Sequence, residues 1–186
     1  MGHNTAMPAT PCPAFILTRH ARDTPQGLTL RYWAASSEGP LLLEFTGQEG
    51  VFFVPRDSPA PADRRGAVAL SSLSGDPVDA LYFRSTRRLQ EARKALSQAG
   101  APAFESDIRP ADRYLMERFI TGPVLVHGAG SERRGYRAYL NPTLVRASHS
   151  PILRSASIDI ETEGLDGALY SIAGRCGAAG VVFVVG

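Results

Sequence analysis

Between Phe15 and Val54 the chain repeats one pattern: a run of four to eight largely apolar residues, then a turn. The runs are FILTR (Phe15–Arg19), LTLRYWAA (Leu28–Ala35), LLLEF (Leu41–Phe45) and VFFV (Val51–Val54), and DTPQG (Asp23–Gly27) and Glu38-Gly39-Pro40 separate the first three. Runs this short, rich in aromatic and β-branched residues and bounded by Gly and Pro, predict strands. Four of them at this spacing predict an antiparallel meander or a small barrel.

The pattern then changes. Pro55–Gly66 is a loop of Pro and charge, Val68–Leu73 a short strand and Val78–Arg84 a firmer one. STRRLQEARKALSQAG follows, with Ser85 or Thr86 placed to cap a helix, Leu89, Ala92 and Leu96 at helical spacing and Gly100 as the stop. Ala103–Glu105 is expected to be a strand, and a second helix is expected from about Pro110 to Ile120. Pro123–Val126 and Tyr136–Leu140 are expected to pair as a hairpin around HGAGSERRG. Pro142–Pro151 is polar and irregular and is read as a domain boundary. Beyond it, Ile152–Ile160, Ala168–Ala173 and Val181–Val185 predict three strands of a new sheet with no helix to cover them. Such a sheet buries too little to be stable alone, so either it packs on the first domain or the chain is a fragment; the fragment is the favoured reading. The fold class is α+β.

Composition narrows the function classes only a little. Hydrophobic residues make up 44% and charged residues 20%, which argues against wholesale disorder. The formal charge of +2 neither demands nor excludes a nucleic-acid partner. Lys94 is the only lysine, so nearly all the positive charge is guanidinium, whose fork of donors suits phosphate. Cys12 and Cys176 lie at opposite ends with no metal-ligand spacing, which predicts free thiols in a reducing compartment. No run reaches the length of a membrane helix, and MGHNTAMPATPCP has no signal-peptide core. The expectation is a cytoplasmic protein with a disordered lead-in over residues 1–12.

The stretch with most chemical content is Ser157-Ile158-Asp159-Ile160-Glu161-Thr162. In a strand, residues i and i+2 share a face, so Asp159 and Glu161 project together while Ile158 and Ile160 are expected to enter a core. Neighbouring carboxylates repel unless a cation lies between them, and hard oxygen donors suit Mg²⁺ or Mn²⁺. Two such ions about 3.5–4 Å apart support phosphodiester hydrolysis. Set against this, most Asp-x-Glu pairs on strands are solvent-facing charges.

SIDIET followed by a second strand resembles the first exonuclease motif of family B DNA polymerases. FILTRHARDTPQG (Phe15–Gly27) and ESDIRPADRYLMERFITGPV (Glu105–Val124) resemble the amino-terminal region of the bacterial DNA polymerase II branch, in the same order. The resemblance runs from about Phe15 to Gly186. It implies an amino-terminal domain over 13–150 and, over 151–186, the first strands of a ribonuclease-H-like 3′→5′ exonuclease domain. It also implies that Asp159 and Glu161 hold Mg²⁺ or Mn²⁺ as part of a two-metal proofreading site. The parent would be a DNA-directed DNA polymerase acting in replication or repair, with template and primer DNA as partner and a sliding clamp engaged through a carboxy-terminal part absent here. The family's further carboxylates and palm aspartates fall beyond residue 186, so this chain is expected to be catalytically incomplete. Two other readings remain open: a stand-alone nucleic-acid-binding module, and an exonuclease of the same superfamily without a polymerase domain.

Two arginine groups are candidate nucleic-acid contacts: Arg84, Arg87 and Arg88, beside Tyr82 and Phe83, and Arg133, Arg134 and Arg137, around a glycine-bearing loop. The plainer expectation is that Tyr82 or Phe83 is core and the arginines a solvated helix start. Arg109 and Arg113 are expected to form structural ion pairs with Asp107 and Asp112. His20, His127 and His149 have no ligand spacing and are expected at the surface. GAGSERRG lacks the Gly-Lys-Ser/Thr ending of a phosphate-binding loop.

Overall fold

The computed structural model describes residues 10–185, so residues 1–9 of the expected lead-in lie outside the described residues. The chain divides into two compact units, the first ending at Pro151 and the second beginning at Ile152.

In the first unit the opening runs form a meander: β1 (Cys12–Thr24), β2 (Gly27–Ser36) and β3 (Gly39–Gln48), antiparallel neighbours joined by tight turns. β1 begins at Cys12, whose side chain is buried. The fourth run does not continue the meander. Instead β4 (Gly50–Pro55) turns away and pairs with β6 (Pro77–Phe83), which also pairs with β5 (Arg64–Ser71). The reason is burial: Phe52 and Val54 are fully buried against Leu81 and Phe83, whereas an extra edge strand on the meander would leave them half in water. β5 starts earlier than the sequence suggests, at Arg64, because Arg64 and Arg65 each pair with β6.

α1 (Thr86–Gln98) covers this small sheet and buries Leu89, Ala92 and Leu96, the three positions its spacing selects. Ser85 caps it by accepting from the Arg88 N–H at 3.2 Å. A second cap comes from the β1–β2 hairpin tip, where the Asp23 carboxylate accepts from the Thr86 N–H at 2.7 Å and the Thr86 hydroxyl at 2.8 Å. No acidic residue lies in the first turn of α1, so Asp23 supplies from outside the negative charge that a helix N-terminus favours. Burial pushes its carboxyl pKa up, but the hydrogen bonds from Thr86 and Arg87 outweigh that and hold it below the usual carboxylate range. A lowered pKa means stabilisation that is full at neutral pH and fades as pH falls below about 4. Asp23→Ala is expected to cost about 1 kcal/mol at neutral pH. Urea midpoints should show that cost shrinking near about pH 3, because the wild type has lost the charge there as well.

α2 (Pro110–Met116) is shorter than its apolar pattern suggests. Phe119 adopts a left-handed backbone (φ 53°), which ends the helical turn and leaves its side chain exposed. Ala103–Glu105 does not form a strand; only Phe104 bridges to Phe53.

The expected hairpin between 123–126 and 136–140 is not formed. β7 (Pro123–His127) instead pairs with β1 and with β10 (Thr143–Arg146), a strand inside the stretch expected to be irregular. Val124 and Val126 are buried in that position, and the Ile16 N–H donates to Gly122 O at 2.9 Å. A Cβ at Gly122 would lie 2.8 Å from the Phe15 ring, so a larger residue there would have to displace that ring. β9 (Tyr136–Leu140) forms its hairpin with β8 (Gly130–Arg133), turning through Gly135 at φ 87°. β9 also runs parallel to β3. The result is a seven-stranded sheet of order β10-β7-β1-β2-β3-β9-β8. One of its faces holds the main core, with Tyr32, Leu43 and Tyr139 packed among Ala111 and Leu115 of α2.

The second unit is a three-stranded antiparallel sheet, β11 (Ala156–Thr162), β12 (Leu169–Cys176) and β13 (Ala179–Val184). Ile158 and Ile160 were expected to enter a core, but they are 72% and 55% exposed. A single sheet has no second layer to receive them. The first unit is thus β-rich with two short helices, and no helix among the described residues is long and apolar enough to cross a membrane.

Candidate metal and nucleic-acid site

Asp159 and Glu161 alternate along β11, opposite Ala173 and Ser171 of β12. Partners and alternation put both carboxylates on one face, about 6.6 Å apart along the strand. A register shift follows at Glu161/Thr162, and the strand ends there. The Thr162 hydroxyl donates to Gly164 O, and the Glu163 N–H donates to Ala168 O at 2.9 Å, closing the β11–β12 turn. The two carboxylates therefore stand near a strand end, exposed, and neither makes an ion pair among the described residues. Their negative charge is left available to a cation. Among the described residues no group of three or more His, Cys, Asp or Glu side chains could hold a metal ion.

The six candidate arginines fall in two places. Arg84, Arg87 and Arg88 stand at the β6–α1 junction. Arg88 pairs with Asp63, whereas the side chains of Arg84 and Arg87 make no ion pair among the described residues. Phe83 is buried and Tyr82 half-buried, with the Arg64 guanidinium 3.6 Å above the Tyr82 ring. Arg133 and Arg134 lie at the β8–β9 turn and are exposed. Arg137 is engaged with Glu132 and, at 2.7 Å, with Glu38. Those hydrogen bonds, Glu132's first, raise its pKa.

The expected pairing of Arg109 and Arg113 is half corrected. Arg109 reaches Asp112 at 2.7 Å, and Arg19 reaches the same carboxylate at 3.0 Å. Arg113 turns away from both Asp107 and Asp112. It is buried, donates to Glu105 at 2.7 Å and lies 5.3 Å from the Phe53 ring centroid. His20 is exposed, but His149 has a buried Nε2 with no partner among the described residues.

The sheet face opposite the main core carries an aromatic pair that no sequence motif marks. Trp33 is 40% exposed there, with its ring 5.1 Å from that of Tyr136 at an interplanar angle of 73°. The available signal was alternation: Arg31 and Trp33 share a face, opposite to the one that buries Tyr32.

A family model described as DNA polymerase II, N-terminal, matches residues 14–49, a span that holds Phe15–Gly27. DNA polymerase II of Escherichia coli (strain K12) is 39% identical over 181 residues, covering 92% of this chain. The chain is thus similar in sequence to DNA polymerase II, and over residues 14–49 to the amino-terminal part of that family. It spans 23% of the length of the Escherichia coli polymerase. The family B DNA polymerase from the hyperthermophilic archaeon Pyrobaculum calidifontis has the same fold over 94% of this chain and 27% of its own, with a TM-score of 0.72 at 16% identity. The similarity to DNA polymerase II thus extends well beyond the family-model match, across most of the chain.

Proposed function

We propose that the chain is the amino-terminal part of a DNA-directed DNA polymerase with a 3′→5′ proofreading exonuclease, acting on template and primer DNA in replication or repair in the cytoplasm. In this reading residues 13–150 are the polymerase's amino-terminal domain and 151–186 open a ribonuclease-H-like exonuclease domain. A sliding clamp would be engaged through other parts of the protein. The observation that carries the proofreading part is the pair Asp159 and Glu161, on one face of β11, exposed and free of ion pairs among the described residues.

Two hard, unneutralised carboxylates fit Mg²⁺ or Mn²⁺. Bound there, the metal would supply Lewis-acid stabilisation of charge on a phosphodiester. Asp159 and Glu161 would hold it and fix its position at the strand end, where a DNA 3′ end has access. Arg84, Arg87, Arg88, Arg133, Arg134 and Arg137 are the proposed phosphate contacts; Arg84, Arg87, Arg133 and Arg134 need give up no ion pair among the described residues to serve.

With two acidic ligands, this chain is expected to bind Mn²⁺ weakly, with a Kd on the order of millimolar, and to hydrolyse no DNA. Paramagnetic broadening of backbone amides on Mn²⁺ titration should centre on Asp159 and Glu161. The double variant Asp159→Asn, Glu161→Gln should lose it. Broadening that persists in the variant, or that centres elsewhere, would overturn the metal assignment.

A further inference from the structure

The seven-stranded sheet has one face in the core and one facing out. Strand register identifies what stands on the outer face. His20 lies opposite Arg31, Arg22 opposite Thr29 and Thr18 opposite Trp33. Across β2 and β3, Trp33 lies opposite Leu42 and Arg31 opposite Glu44. Leu42 neighbours Ala138 of β9, and two residues earlier on that strand Tyr136 lies opposite Arg133 of β8. Partners across a ladder share a face, so a strip of five strands, β1-β2-β3-β9-β8, presents His20 and Arg22, then Arg31 and Trp33, then Leu42 and Glu44, then Tyr136 and last Arg133.

The chemistry of the strip is uneven in a telling way. Trp33 is the protein's only tryptophan and is 40% exposed, although large apolar side chains fill the opposite face. Tyr136 meets it edge to face at 5.1 Å, which fixes the indole plane and leaves ring surface to solvent. Glu44 stands on the strip and is already engaged by the Arg31 Nε at 2.6 Å. Arg22 and Arg133 make no ion pair and no side-chain hydrogen bond among the described residues. An exposed, orientated aromatic ring flanked by unneutralised guanidinium groups on an open sheet is suited to one class of ligand, an unpaired polynucleotide strand. Its bases have free π-faces to stack, and its phosphates seek the arginines. A duplex hides its base faces, and a small ligand would find no enclosing walls on an open sheet.

We infer that this outer face binds single-stranded DNA, with a base stacked on Trp33 beside Tyr136 and the flanking phosphates held by Arg22 and Arg133. The inference rests on the reading that DNA is the partner, but it involves neither Asp159 nor Glu161.

The single tryptophan makes the test direct. Oligothymidylate added to the 186-residue chain is expected to quench Trp33 fluorescence saturably. The affinity should fall as salt rises between about 50 and 200 mM. Anisotropy of a labelled oligothymidylate should show Trp33→Ala weakening binding about tenfold or more, and Trp33→Phe, which keeps a stacking ring, by about threefold or less. Arg22→Ala with Arg133→Ala should lower the slope of log affinity against log salt by about 1.4. Urea midpoints within experimental error of wild type would establish that these surface variants fold. Trp33→Ala is expected to leave Mn²⁺ broadening at Asp159 and Glu161 unchanged, so failure of one reading is distinguishable from failure of the other. Absence of quenching, equal quenching by a duplex of the same length, or wild-type binding by Trp33→Ala would each overturn the inference. So would sedimentation showing that Trp33 is shielded by a second copy of the chain without DNA.

Discussion

Phe52→Ala is expected to lower the unfolding free energy of the first unit by about 3–5 kcal/mol, the cost of deleting a fully buried ring whose surroundings relax only in part. Phe52 has no exposed surface and stacks on Phe83 at 5.1 Å with the rings 20° apart. Val54, Leu81, Leu89, Ala92 and Leu96 close the cluster. The buried walls come from β4, β6 and α1, and the partly buried Ala60, Ala62, Ala101 and Ala103 of the adjoining loops pack against them. With a urea m-value of about 1–3 kcal/mol/M, the midpoint should fall by at least about 1 M. Circular dichroism and Trp33 fluorescence should report the same shift. Trp33 sits on the other sheet, but two features tie the clusters together: the Asp23 cap, and the packing at Gly50, where a Cβ would lie 2.6 Å from Leu89 of the small-sheet cluster and 3.6 Å from Leu28 of the main core. A midpoint that moves by circular dichroism alone would show that the clusters unfold separately.

Tyr32 is the matching position in the main core. It is fully buried, meets Phe45 edge-on at 5.8 Å and donates its hydroxyl to Ala111 O at 2.8 Å. Tyr32→Ala is expected to cost about 3–5 kcal/mol. Tyr32→Phe loses only the hydrogen bond, about 0.5–1.5 kcal/mol. The phenol adds a pH signature. Burial pushes its pKa well above 10, and burial does the same to Tyr114, with Arg118 opposing. A raised pKa means that the stabilising contribution is complete below the unfolded value, about 10, and is lost as pH rises beyond it. Urea midpoints at about pH 8 and about pH 11 should therefore differ more in the wild type than in Tyr32→Phe.

Much of the local structure was legible in the residues. α1 followed from Ser85, Leu89, Ala92 and Leu96, because a cap and a helical stripe are local facts. β2 and β3 followed from apolar runs between glycine turns. Apart from the early end of α2, where Phe119 takes a left-handed backbone, the main failures were matters of partnership. VFFV is unmistakably a strand, but nothing within it tells which sheet will bury Phe52. PVLV and YRAYL look like the arms of a hairpin; β7 joins β1 because Val124 and Val126 complete a core built more than a hundred residues earlier in the chain. Thr143–Arg146 carries no strand signal because its pairing with β7 creates it. The candidate site divided in the same way. That Asp159 and Glu161 share a face follows from alternation alone. That Arg88 is engaged by Asp63 and Arg137 by Glu38 does not, since those partners are 25 and 99 residues away. The aromatic strip around Trp33 was invisible because its members lie on five strands.

The parallel pairing of β9 with β3 governs the order in which this fold can assemble. Everything from Gly50 to Gly135, including the small sheet, both helices and β7 and β8, lies between two strands that finish side by side. Asn141 clasps the junction: its N–H donates to Glu44 O at 2.7 Å and its side-chain oxygen accepts from the Thr46 N–H at 2.9 Å, with a backbone φ of 48°. Closing a loop of that length while it is still disordered is entropically unfavourable. Condensing the intervening lobe first shortens the effective gap, so the β3–β9 ladder is expected among the last contacts to form, and the β1–β2–β3 meander, whose contacts are local, among the first.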